Sequence, residues 1–155
     1  MNENHLKPET FRFEFPEVVN ENTNFESIAK PTTANLLIDC SKVIRINSVG
    51  IKGLKRAFEN GEAAGAHFSF VGITPAVMDV VDLITNFLPK NSEIMSMFRP
   101  YACMSCQHTF LKLYGFDEIR QNTSEMMNTI CTKCGSEAEL DDIIDLSFRR
   151  ILGPK

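Results

Sequence analysis

The sequence predicts an α/β fold: a sheet covered by helices, joined to a small metal-held β module and followed by a terminal helix. Three observations predict it. From residue 36 onward, short apolar runs alternate with stretches of helical period, the pattern of strands linked by crossover helices. Near the C-terminus stand two Cys-x-x-Cys pairs, Cys103/Cys106 and Cys131/Cys134, with 24 residues between them. The 155 residues are 43% apolar and include twelve Phe, enough for a core, yet no apolar run is long enough to cross a bilayer. The chain divides into a polar, disordered tail (1–10), an α/β domain (11–98), and a cysteine module with a helix (99–155).

The elements follow in order. Phe11-Arg-Phe-Glu-Phe15 alternates strictly and reads as a strand with three Phe on one face, stopped by Pro16. Residues 18–34, rich in Asn and Thr, hold at most one helical turn around Phe25 to Ala29. Leu36-Leu-Ile-Asp-Cys40 is a buried parallel strand, and Lys42 to Ile46 lead into a helix that begins near Asn47. Its apolar residues are Ile51, Leu54, Ala57, Phe58 and Ala64, and Gly65 ends it. His67 to Ile73 form the next strand. Thr74 caps a second helix, Pro75 occupies its first turn, and Val77, Val80, Val81, Ile84 and Leu88 line one side until Pro89 closes it. Glu93 to Phe98 read as one strand running straight into the first cysteine pair. Ser136 to Leu140 form a last strand, and Asp141 or Asp142 caps a final helix carrying Ile143, Ile144, Leu146, Phe148 and Ile151.

The cysteine pairs carry the strongest chemistry. A two-residue gap lets each pair turn tightly, with backbone N–H groups facing the sulfurs, and two such pairs supply four thiolates to one tetrahedral point. Zn²⁺ suits that donor set, and four protein ligands leave no open position, so one structural Zn²⁺ in a zinc ribbon is expected on Cys103, Cys106, Cys131 and Cys134. Two disulfides are the competing reading. Against them stand an N-terminus without secretory character and an odd fifth cysteine, Cys40, read as core filling at a strand end. A cytoplasmic protein with reduced thiols is expected. His108 reads as a surface or knuckle residue.

Charge narrows the function. The net charge is −4, and residues 99–155 carry seven Lys/Arg against eight Asp/Glu, so the module lacks the basic face of a nucleic-acid-binding ribbon. No catalytic set emerges: His5, His67 and His108 lie in a tail, at a strand start and beside a knuckle. No glycine-rich phosphate loop is present, and Gly50-Ile-Lys-Gly53 is only a weak anion-binding hint.

From Leu36 to Phe98 the chain resembles the STAS domain, the fold of bacterial anti-sigma-factor antagonists and of sulfate-transporter cytoplasmic tails. The resemblance rests on LLIDCSKVIRINSVGIKGLKRAFENGEAAGAHFSFVGITPAVMDVVDLI and its order of elements. The family signature Asp-Ser-Ser/Thr-Gly at a helix start is matched here by Asn47-Ser48-Val49-Gly50. The cysteine region resembles a zinc-ribbon extension found on some STAS-like bacterial proteins. In place of the family's opening hairpin and helix stands one Phe-alternating strand, and the final helix lies beyond the ribbon. The ribbon is therefore expected to interrupt the fold between last strand and last helix.

The resemblance implies a docking surface rather than an active site. In the antagonists a Ser or Thr just before the glycine is phosphorylated by an anti-sigma kinase, which disrupts the partner interface. Val49 occupies that position and cannot accept phosphate. Ser48 remains one residue earlier, read as a helix N-cap, with a displaced phosphosite as the sharper alternative. Lys52, Lys55 and Arg56 are a solvated face or a patch for an acidic partner. The expected function is a non-catalytic regulatory or adaptor protein. It binds a protein partner (an anti-sigma-factor or kinase-like protein) through Asn47, Ser48, Val49, Gly50, Lys52, Lys55 and Arg56. The alternative is a structural or scaffold subunit of a larger assembly, with homo-oligomers left open.

Overall fold

The structure is a computed structural model and describes residues 9–121 and 127–141. Its first half runs β1 (Thr10–Glu14), β2 (Val18–Val19), α1 (Glu26–Ala29), β3 (Asn35–Asp39), β4 (Arg45–Ile46), α2 (Ser48–Ala63) and β5 (His67–Val71). Then come α3 (Pro75–Leu83), β6 (Ser92–Ile94), β7 (Ser96–Cys103), β8 (Thr109–Gly115), α4 (Phe116–Gln121), β9 (Asn128–Ile130) and β10 (Glu137–Leu140). The expected final helix lies outside the described residues, as do residues 1–8 of the tail.

A parallel sheet in the order β1-β3-β5-β6 forms the first layer. Its register aligns Phe11 with Leu36 and Phe68, and Phe13 with Ile38, Phe70 and Ile94. Paired residues point to the same side, so these rows make one apolar face; the next row, Arg12, Leu37, Ser69 and Glu93, makes the other, which is mostly polar. Helix α2 covers the apolar face through Leu54, Ala57, Phe58 and Gly61, all buried. The Phe58 ring meets Phe68, Phe70 and Phe87 edge-on at 5.6, 5.6 and 5.8 Å, the geometry favoured by opposed ring quadrupoles. The strand expected over 11–15 is present, and its Phe residues sink progressively, from Phe11 at 38% exposed to Phe15 at 3%.

Helix α2 ends as a Schellman motif. Gly65 has φ +88°, its N–H bonds Glu62 O at 2.9 Å, and Ala66 N–H bonds Gly61 O at 3.1 Å. Helix α3 opens as expected, with Thr74 at the cap position and Pro75 in the first turn, but the Thr74 side chain makes no capping bond. It also stops at Leu83 rather than running to Leu88. The chain leaves the helix at Ile84, which is extended (φ −117°, ψ 111°), and beyond the turn at Asn86 (φ +59°) Phe87 is buried in the core at 2% exposed. A turn thus buries a larger side chain than the longer helix would have placed there.

The single strand expected over 93–98 is two strands in two sheets. β6 completes the parallel sheet, the chain diverts at Met95, and β7 begins an antiparallel sheet in the order β8-β7-β10-β9. The sheets remain joined at the start of β7. Ser96 Oγ accepts from Gly72 N–H at 2.9 Å, Ser96 O accepts from Ile73 N–H at 3.2 Å, and Phe98 N–H donates to Ile73 O at 2.8 Å. Along β7, Met97, Arg99, Tyr101 and Cys103 are buried on one face. Tyr101 and Tyr114 hydroxyls share a hydrogen bond of 2.7 Å across β7 and β8.

Two features make stability testable. An added Cβ at Gly61 would lie 2.4 Å from Ile28 O of α1 and 2.9 Å from the Phe68 ring. Gly61→Ala is expected to lower stability in urea by about 1–3 kcal/mol through overpacking, although alanine is the better helix former. An unchanged or raised midpoint would show that α1 yields freely. At the end of β3, buried Asp39 accepts from Ser41 N–H at 2.9 Å and Ser41 Oγ–H at 2.6 Å, and pairs with Arg12. Burial opposes its ionisation, but the Ser41 and Arg12 bonds outweigh burial and hold the carboxyl below its ordinary value. Its contribution is complete above the unfolded carboxylate pKa of about 4 and is lost as pH falls through the lower folded value. Asp39→Asn should therefore reduce the melting temperature at neutral pH, with the gap from wild type closing towards pH 2. A gap independent of pH would assign the loss to shape rather than charge.

Candidate functional site

Two knuckles of the same backbone design bring the cysteines together. In the first, Gln107 N–H bonds Cys103 O at 2.8 Å and Cys103 N–H bonds His108 O at 2.9 Å. In the second, Gly135 N–H bonds Cys131 O at 3.0 Å and Cys131 N–H bonds Ser136 O at 2.7 Å. Both need a left-handed residue at the fifth position, supplied by Gly135 (φ +77°) and, without a glycine, by Gln107 (φ +62°). Pairing of Ala138 in β10 with Cys103 in β7 sets one knuckle over the other.

The four sulfurs then lie within 4.8 Å of one another, with Cys103–Cys134 at 3.6 Å and Cys106–Cys131 at 3.7 Å. They could hold one metal ion. Lys133 N–H approaches Cys131 Sγ at 3.4 Å, one of the backbone donors anticipated for such turns. Hydrogen bonds from the Ser136 side chain and backbone lower the Cys134 thiol to about 6. Cys106 is pushed up to about 12: the His108 N–H favours its thiolate, but burial and the neighbouring sulfurs outweigh that bond. Four sulfurs in one small volume cannot all ionise on their own, and a divalent cation removes that conflict. His108 stands outside the cluster, with its ring stacked on Phe110 at 5.7 Å.

The second candidate surface is the start of α2. Asn47, not Ser48, is the N-cap: its Oδ1 accepts from Gly50 N–H at 2.7 Å. Both residue types cap well, and the choice is made from afar, because Asn47 Nδ2 also donates to Glu21 Oε2 at 2.8 Å. An aspartate here would set a second carboxylate against Glu21. Ser48 and Val49 are exposed at the first helical positions, Val49 at 54%. Gly50 is buried because a Cβ there would lie 2.6 Å from Val19 O of β2.

The basic residues do not form one patch. Val49, Lys52 and Arg56 share a helix face and are exposed or open to solvent, whereas Lys55 turns aside to Glu59 at 3.8 Å. Ile44, three residues before Asn47, is 68% exposed and was not singled out in the sequence; its place in an apolar run conceals it. Cys40 is buried as expected, and burial raises its thiol pKa. A hollow of about 660 Å³ between β6 and α4 is lined by Leu88, Ile94, Met95 and Phe116 and by the polar Ser92, Glu93, Asp117 and Arg120. No helix among the described residues is long and apolar enough to span a membrane.

Comparison with known proteins places residues 15–93 in a match to the family described as STAS domain. The matched span reaches from Phe15 into β6 and stops before β7 and the four clustered cysteines. No curated protein and no solved structure matches the chain.

Proposed function

This chain belongs to the STAS-domain family, and from that membership we propose that it is a non-catalytic regulatory or adaptor protein. It docks a protein partner through the start of α2, in the manner of anti-sigma-factor antagonists. The observation that carries the reading is the capped helix start, with Val49 exposed on the same helix face as Lys52 and Arg56 and apolar Ile44 exposed on the segment that leads into it. An apolar centre with a cationic rim suits a partner surface that is apolar and edged with carboxylates. Val49 stands where the antagonists carry their phosphorylatable residue, so docking would not be switched off there. Gly50 and Lys55 act as supports, the one by its fit against β2 and the other by its pairing with Glu59.

The cysteine cluster fits Zn²⁺, one ion per chain, in a structural role within a zinc ribbon. Four thiolates complete a tetrahedral shell, which supports that assignment. β7 carries Cys103 at one end and bonds Gly72 and Ile73 at the other, so the ion would support the STAS sheet as well as its own knuckles.

Two experiments test these readings. Tagged wild-type chain and Val49→Asp are used for affinity capture from native cells, with mass spectrometry. A histidine-kinase-like anti-sigma factor recovered with wild type and reduced at least tenfold with Val49→Asp supports docking. Equal recovery with both variants overturns it, and stoichiometric recovery of a multi-subunit assembly would favour the scaffold role. Val49→Asp is preferred to a Gly50 substitution, which would displace β2. Separately, zinc content and thermal melts are measured with and without a chelator. One zinc per chain and a single transition shifted down by ten degrees or more are expected; melting confined to the C-terminal part would mean the two sheets are independent.

A further inference from the structure

The four cysteines are not equivalent to an approaching reagent. Two sulfur pairs that join the knuckles approach closely, Cys103 with Cys134 at 3.6 Å and Cys106 with Cys131 at 3.7 Å. Each pair also combines one buried cysteine, Cys103 or Cys131, with one that solvent reaches, Cys134 exposed and Cys106 half-buried. Attack on a peroxide needs a reachable thiolate, and completion of a disulfide needs a second sulfur close behind it. Both pairs supply that arrangement.

We propose that the cluster is a thiol-oxidation site for hydrogen peroxide, in which Cys134 and Cys106 are oxidised first and Cys103 and Cys131 resolve them. The inference rests on the zinc reading of the same site. In each pair the exposed thiolate attacks the O–O bond; an S–O bond forms, O–O breaks, and hydroxide leaves. The buried thiolate then attacks that sulfur, an S–S bond forms, the S–O bond breaks, and a second hydroxide leaves. Each peroxide is reduced to two waters by two thiolates and two protons. Two peroxides convert the four thiolates to two disulfides, and the ion departs for want of ligands. Each pair has to close from 3.6 or 3.7 Å to a disulfide length of about 2.05 Å. Because both links cross between knuckles, β7 stays tied to the β9–β10 end of the sheet after the metal has gone. Oxidation would exchange one four-sulfur staple for two two-sulfur staples, and a dithiol reductant with zinc would reverse it.

The test uses the full zinc-loaded chain titrated with hydrogen peroxide. Zinc release is followed with a chromogenic indicator, and disulfides are mapped by mass spectrometry after alkylation. Expected are release of one zinc per two peroxides, loss of four hydrogens, links Cys103–Cys134 and Cys106–Cys131, alkylated Cys40 throughout, and recovery of zinc binding with dithiothreitol. Links within each Cys-x-x-Cys pair, or retention of zinc under excess peroxide, would overturn the proposal. A chain that takes up no zinc fails the metal reading at the loading step, and the mapped links still decide the oxidation reading. In Cys134→Ser, formation of Cys106–Cys131 with Cys103 left alkylated supports the pairing; a Cys103–Cys106 link refutes it.

Discussion

The strand β7 is the constraint on which the second half of the molecule depends. Its first residues are tied by three hydrogen bonds to Gly72 and Ile73, at the exit of the parallel sheet, and its last residue is Cys103. Between them Met97, Arg99 and Tyr101 are buried, so the strand is held along its length as well as at its ends. β8 and β10 pair on either side of it, and β9 pairs on β10. The position of every sulfur therefore follows from where β7 leaves Ile73. A strand with both edges paired carries the cysteine module and the exit of the parallel sheet on one continuous segment.

The other end of the molecule is governed by close approach. Gly50 lets α2 touch β2, and Gly61 lets it touch α1, at separations no side chain would allow. Asn47 completes this contact by bonding Gly50 on its own helix and Glu21 on the preceding loop. The outcome is a helix start whose backbone is fixed while Ser48, Val49 and Ile44 face outward. A surface ordered in advance lowers the entropic cost of docking a partner there.

Much of this architecture was legible in the sequence, and the misses have definable causes. β1, β5 and α2 each turn one face to the core, so their apolar residues repeat with the period of the element, while β3 is buried on both faces and shows instead as a continuous apolar run. β8 escapes that test because Leu111 and Leu113 on one side alternate with Phe110 and Tyr114 on the other, leaving no polar face to mark it. Helix α4 and strand β9 are too short to show a period. The break at Met95 left no local mark, since residues on both sides have the same extended preference and differ only in which sheet accepts them. Helix α3 ends early because core space was available for Phe87, a fact of packing rather than propensity.

The sequence by itself determined the α/β class, the family, the four sulfur donors and the tightness of their turns. All of these are encoded in spacings of a few residues or in short patterns. Tertiary structure alone decided that Asn47 rather than Ser48 caps α2, that Lys55 leaves the basic face, and that each buried sulfur comes close to a more accessible one from the other knuckle. Those outcomes depend on which distant segment arrives: Glu21 beside Asn47, and β10 beside β7. Local spacing dictates what a segment can form; only long-range pairing settles what its side chains meet.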